Sequence, residues 1–221
     1  MFSLKRIEEL NVKKKYKIMI VVLLVVLLVA GGIGVYFCFF RNEPTEQPPV
    51  NEIQVTNSIE EYGYNLDDRD TEMFKEKFEE LKTLLSEEEY DVEKYVSLIS
   101  QLFVIDLYTI DNKISRYDVG GLEYVYPDAV SSFQSVAENS IYKTVENNLD
   151  DTRTQDLPEV SEITLDSISE TTFIMPDESE VAGYAVKLSW GYVEDLGYDT
   201  SATLILIPSD KKYGVVYFEP N

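Results

Sequence analysis

Residues 184–192 read YAVKLSWGY, and the alternation in that stretch decides the fold. Tyr184, Val186, Leu188, Trp190 and Tyr192 fall on one face of an extended chain. Ala185, Lys187, Ser189 and Gly191, all small or polar, fall on the other. A period of two with a single apolar face marks a strand covered on one side. Upstream, residues 159–175 carry Val160, Ile163, Leu165, Ile168 and Phe173 and predict the preceding strand. Downstream, residues 200–207 (TSATLILI) predict the next one. Ser209-Asp210-Lys211-Lys212 makes a tight turn, and Tyr213 to Phe218 returns as the last strand. Strands this close in sequence pair antiparallel, so about four of them form a meander.

The period changes upstream. Met73, Phe74, Phe78, Leu81, Leu84 and Leu85 recur at three- and four-residue spacing behind Asp70 or Thr71, either of which can cap a helix. Ser86-Glu87-Glu88-Glu89 matches a capping box and predicts a second helix, with Val92, Tyr95, Val96, Ile99, Leu102 and Phe103 on its face and Ile105 and Tyr108 beyond. Asp118-Val119-Gly120-Gly121 reads as a turn. Pro127-Asp128 opens a third helix carrying Ala129, Phe133, Val136, Ala137, Ile141, Tyr142 and Val145. Helices first and strands after indicate an α+β domain, about three helices on one face of a curved antiparallel sheet.

At the other end of the chain, Ile18 to Phe40 runs without a charged residue. At about 1.5 Å per residue it spans roughly 34 Å, enough to cross a hydrocarbon core. The run is longer than a signal-peptide core, and bulky Tyr36, Phe37, Phe39 and Phe40 sit where cleavage wants small residues, so an uncleaved transmembrane helix over 18–40 is expected. Residues 1–17 carry six Lys/Arg against Glu8 and Glu9, which places this basic tail in the cytoplasm and the rest outside the cell membrane. Ala30 and Gly34 form a small-xxx-small pair that would let two such helices approach and self-associate; ordinary glycine tolerance explains them equally well. Residues 41–58, opening RNEPTEQPPV, read as a proline-rich tether, and 59–221 as one extracytoplasmic domain.

Composition narrows the chemistry. The whole chain has a net charge of −22, and residues beyond 41 are more acidic still. Such a surface repels phosphate backbones, so nucleic acid is excluded as a partner of the domain, whereas basic proteins are favoured. Cys38, in the apolar run, is the single cysteine, so the outer domain has no disulfide. With abundant Ile, Lys, Asn and Tyr, this points to a single-membrane bacterium. The absence of histidine removes Ser-His-Asp and Cys-His catalysis and His-ligated zinc. No cofactor is implied.

The element order over roughly Glu60 to Pro220, with its terminal hairpin around Asp210-Lys211-Lys212, resembles the NTF2-like cone fold. Basic tail, single membrane helix, tether and outer cone together resemble the VirB8/TcpC class of conjugation and secretion scaffold proteins. That resemblance implies an assembly platform without catalytic activity. The extreme acidity departs from the class, and no interface residue carries over.

Three groups of residues invite a functional reading. Asp68, Asp70 and Glu72 have the spacing of oxygen ligands for Ca²⁺. No glycine stands at the sixth position of that loop, where Met73 falls, and helix capping explains the acids more simply. Asp106 and Tyr108 lie in FVIDLYTIDNKISRYDVGG with Asp111 and Asp118. In an NTF2-like cavity they would form an acid/base pair; as plain structure, Asp106 would bond backbone at a helix end. Tyr184, Trp190 and Tyr192, with Tyr213 and Tyr217 nearby, would suit a peptide or sugar platform, and equally the core face of a covered sheet. Asp118 is grouped with them as a candidate partner contact. The expected function is a membrane-anchored, noncatalytic binding or assembly module of an envelope complex. A carboxylate-dependent NTF2-like enzyme or small-ligand binder using Asp106 and Tyr108, and an acidic calcium-tuned adhesion module, stand as alternatives.

Overall fold

The structure, a computed structural model, describes residues 53–221. The expected cytoplasmic tail, the transmembrane helix over 18–40 with its Ala30–Gly34 pair, and the tether up to residue 52 lie outside the described residues. Among the described residues no helix is long and apolar enough to cross a membrane.

Strands β1 (Val55–Ile59) and β2 (Tyr64–Asp67) pair antiparallel as a hairpin, with Gly63 at φ 65° in its turn. Among the described residues, strand pairing starts at Val55, inside the stretch read as tether. Helix α1 (Glu72–Leu85) follows, capped by Thr71, whose hydroxyl accepts the Phe74 N–H at 3.3 Å. Its buried residues Phe74, Phe78, Leu81 and Leu84 form the expected stripe.

Ser86 does not open the second helix. It closes the first, its hydroxyl donating to the Thr83 carbonyl at 2.7 Å. Helix α2 (Val92–Tyr108) is capped by Asp91, whose Oδ1 accepts the N–H groups of Glu93 at 2.9 Å and Lys94 at 3.2 Å. A carboxylate adjacent to the apolar run outcompetes a hydroxyl six residues before it. From Tyr95 to Tyr108 only Asp106 is not buried, so α2 is a central helix packed against α1 and the sheet. Helix α3 (Val130–Asn139) is shorter than expected. Asn139 Nδ2 and Ser140 Oγ donate to the carbonyls of Ser135 and Val136, and the chain turns there. Tyr142 and Val145 are buried from turns, not from a helix.

The sheet is an antiparallel meander in the order β3 (Val160–Ile174), β4 (Glu180–Tyr192), β5 (Ser201–Ser209) and β6 (Lys212–Pro220). Irregular register near Val160, Leu165 and Ile205 marks bulges, which bend and twist a ladder locally. One face presents Val186, Leu188, Trp190, Leu204 and Leu206 to the core, packed under α2. The fold is α+β, with three helices and a four-stranded antiparallel sheet.

Candidate functional site

Asp106 is the single partly exposed residue in the last three turns of α2, and it looks into a cleft of about 220 Å³ between β2, the start of α1 and the Gly120-Gly121 turn. Lys113 Nζ donates to Asp106 Oδ1 at 2.5 Å, and the Gly121 N–H donates to Oδ2 at 2.5 Å. Gly121 reaches this position at φ 78°, in the left-handed region that glycine adopts freely. Asp67, Arg69, Asp70, Asp118 and Glu123 complete the polar wall. Arg69 ties two of them, with Nη2 3.0 Å from Asp67 Oδ2 and Nη1 2.6 Å from Asp118 Oδ2.

The expected Asp106–Tyr108 pair is not brought together. Tyr108 is fully buried on the sheet side of α2, where its hydroxyl donates to Asp199 Oδ2 at 3.0 Å. Its ring centroid lies 4.9 Å from that of Trp190. Burial, and then the Asp199 carboxylate, push the Tyr108 phenol far above its ordinary range, which makes it a poor proton donor at neutral pH. Asp111 is exposed, near Arg153 at 3.8 Å. Asp118 is half-buried and accepts from Arg69 and from the Ile114 N–H at 2.9 Å, so it locks a turn from within.

The three candidate calcium ligands also go separate ways. Asp68 accepts the Gln54 N–H at 3.3 Å, Asp70 accepts the Asp67 N–H at 2.7 Å, and Glu72 pairs with Lys75 at 2.8 Å. Among the described residues no group of three or more acidic or thiol side chains is arranged to hold a metal ion.

The aromatic stripe of β4 divides. Trp190 is buried, its Nε1 donating to the Tyr192 hydroxyl at 2.8 Å, and that hydroxyl donates to the Asp199 carbonyl at 2.5 Å. Both belong to the core between sheet and helix. Tyr184 stands apart, at the other end of the strand, with its ring 5.8 Å from Tyr213. Tyr213 in turn packs 6.0 Å from Tyr95, a buried hub that Tyr90 approaches at 5.6 Å and Tyr62 at 6.2 Å. Tyr62, Tyr90, Tyr184 and Tyr213 are all half-buried, so four rings form a shelf over one buried tyrosine. A groove of about 410 Å³ runs beside it, floored by Tyr184, Tyr213, Pro208 and Gly183 and edged by Glu170 and Thr172. The Tyr184 phenol is raised by burial and then by the carboxylates of Glu170, Glu93 and Asp91, so the shelf sits in a negative field. Tyr62 and Tyr90, contributed by the hairpin and the α1–α2 turn, carry no periodic signal in the sequence and escape a reading based on strand alternation.

Glu123 on the cleft wall accepts the Asn65 N–H at 3.2 Å, yet burial pushes its carboxyl up to about 7. Asp70, half-buried beside Asp67, is pushed up to about 6 by desolvation. Both groups hold protons in the folded state that they release on unfolding between about pH 4 and pH 7. Their contribution to stability is therefore full at the acid end of that window and disappears as pH rises through 6 to 7. We expect thermal melts to show a more stable protein at pH 5 than at pH 8. Glu123→Gln, which keeps the oxygen that accepts from Asn65, should flatten much of that slope and stabilise the protein at pH 8 by up to about 3 kcal/mol. A steeper slope in the variant would contradict this assignment.

No protein family, curated protein or solved structure matches this chain.

Proposed function

We propose that this protein is a membrane-anchored, noncatalytic binding or assembly module of a bacterial envelope complex. Its apolar run at 18–40 would serve as the anchor, with the basic tail inside and the α+β domain outside. The observation that carries the reading is the shelf of Tyr62, Tyr90, Tyr184 and Tyr213 in its negative surroundings. Half-exposed tyrosines offer large, rigid contact area with a polar edge, the composition favoured at protein interfaces. Acidic neighbours favour a partner that presents Lys or Arg.

The interior supports the same reading. Between α2 and the sheet, Phe103, Tyr108, Trp190 and Phe218 pack with ring centroids about 5–6 Å apart, and neither Asp106 nor Tyr108 lines the groove of about 480 Å³ that opens between α3 and β6. Three helices on a four-stranded meander are also the element order of the VirB8/TcpC layout. That kinship is part of the proposal.

Crosslinking of the full-length protein in its native membrane, followed by mass spectrometry, tests the proposal. A reproducible set of envelope proteins joined to residues around Tyr184 and Tyr213 is expected, and Tyr184→Ala should cut their recovery about tenfold or more, as truncation of an aromatic anchor does. Recovery of the protein alone, or only with itself, would overturn the assembly role.

A further inference from the structure

Lys113 is 4% exposed, an unusual place for an ammonium group, and it faces Asp106 across a contact with no room for water. Around that pair the cleft supplies the parts an acyl-transfer reaction needs. The amine nitrogen lies against the carboxyl group. The Gly121 N–H donates to Oδ2, the oxygen that would take up negative charge. A further carboxyl, Asp70, lines the same cleft, its own Oδ2 anchored by the Asp67 N–H. Gly120 permits the close approach: a Cβ there would fall 2.7 Å from Asp106 Oδ1.

We propose that Lys113 and Asp106 condense within the folded domain to an intramolecular amide, with Gly121 as oxyanion donor and Asp70 as proton carrier. One proton first moves along the Nζ–Oδ1 hydrogen bond, leaving a neutral amine and a carboxylic acid. The Nζ lone pair attacks Asp106 Cγ, and the developing charge on Oδ2 is held by the Gly121 N–H. Asp70 takes a proton from the attacking nitrogen and delivers one to Oδ1. The Cγ–Oδ1 bond breaks, Oδ1 leaves as water, and the Nζ–Cγ amide remains. One ammonium and one carboxylate give one amide and one water, so no oxidant or cofactor is consumed.

Three physical arguments favour the forward direction. Burial of Lys113 and the tight Nζ–Oδ1 contact leave no room for water between the reacting atoms. Condensation removes the buried Lys113 charge and its half-buried counter-charge, with their desolvation cost. Asp70, raised to about 6, is protonated in part near neutral pH and can both give and take a proton. The tie would join the last turn of α2 to the segment that follows. It needs no oxidising compartment, in a domain whose sequence beyond Cys38 has no cysteine.

Intact-mass spectrometry of the denatured full-length protein tests this directly. The expected mass is lower than the sequence mass by one water, about 18 Da. Trypsin should fail to cut after Lys113 and release residues 95–116 as one piece, lighter by the same amount. Lys113→Arg keeps the charge without an acylable amine and should return the full mass. Asp70→Asn should leave most molecules unlinked. A wild-type protein of full mass, cut normally after Lys113, overturns the proposal. So does a water loss that maps to a succinimide at Asp111 with Lys113 still cleaved. An Asp70→Asn protein linked as completely as wild type removes Asp70 from the mechanism.

Discussion

An Asp106→Ala variant is expected to lose about 3–5 kcal/mol of stability, the cost of stranding a buried cation without its partner. Lys113 has only a few per cent of its side chain exposed, and Asp106 is its sole ion-pair partner among the described residues. The same substitution also orphans the Gly121 N–H, which now donates to Oδ2. The loss should be far larger than for the exposed pair Lys75–Glu72, where solvent screens the charges. Joint replacement, Asp106→Leu with Lys113→Met, removes both charges and should recover most of the stability. Denaturant titration of wild type, both single variants and the double variant measures the coupling. Additive losses would mean that the two side chains do not depend on each other, by ion pair or by amide.

The contrast between Asp106 and Tyr108 shows how far the sequence could be read. Partial burial of Asp106 was legible, because Leu102, Ile105 and Leu107 surround it in the chain. The expected pairing with Tyr108 failed on helix geometry, since residues two apart differ by about 200° around the axis and face opposite ways. The partner Lys113 was not legible. It lies past the helix end, in a turn whose position depends on Pro158, whose carbonyl accepts the N–H groups of Ile110 and Asp111. No local period encodes such a contact.

The same division runs through the fold. Strand β4 and helix α1 each bury one regular face, so their residues repeat at the period of the element. The β1–β2 hairpin is short and half-exposed, with only Tyr64 and Leu66 buried, too little to produce a pattern. Ser86 had the right neighbours for a capping box, but its hydroxyl closes α1 while the Asp91 carboxylate takes the first N–H groups of α2. The tyrosine shelf gathers rings from the hairpin turn, the α1–α2 turn, β4 and β6, and only tertiary structure brings those together.

Gly120→Ala should be among the most damaging single substitutions in the domain, at about 3 kcal/mol or more. The reason is proximity, not backbone conformation. A Cβ at Gly120 would lie 2.1 Å from the Asp106 carbonyl oxygen and 2.6 Å from its carbon, both backbone atoms at the end of α2 that cannot swing aside. The Gly120 N–H is held at the same time by the Tyr142 hydroxyl at 3.1 Å, which itself donates to the Leu107 carbonyl at 2.8 Å. Retreat of the loop would break the Gly120–Tyr142 bond in a buried site and pull Gly121 away from Asp106. Gly197→Ala supplies the control. Gly197 sits at φ 78°, and a Cβ there would have no neighbour within 4 Å, so alanine meets only the left-handed strain of about 1–2 kcal/mol. If the two variants melt at the same temperature, the close packing of the Gly120 turn on α2 is not what holds this end of the helix, and the cleft around Asp106 is looser than its geometry implies.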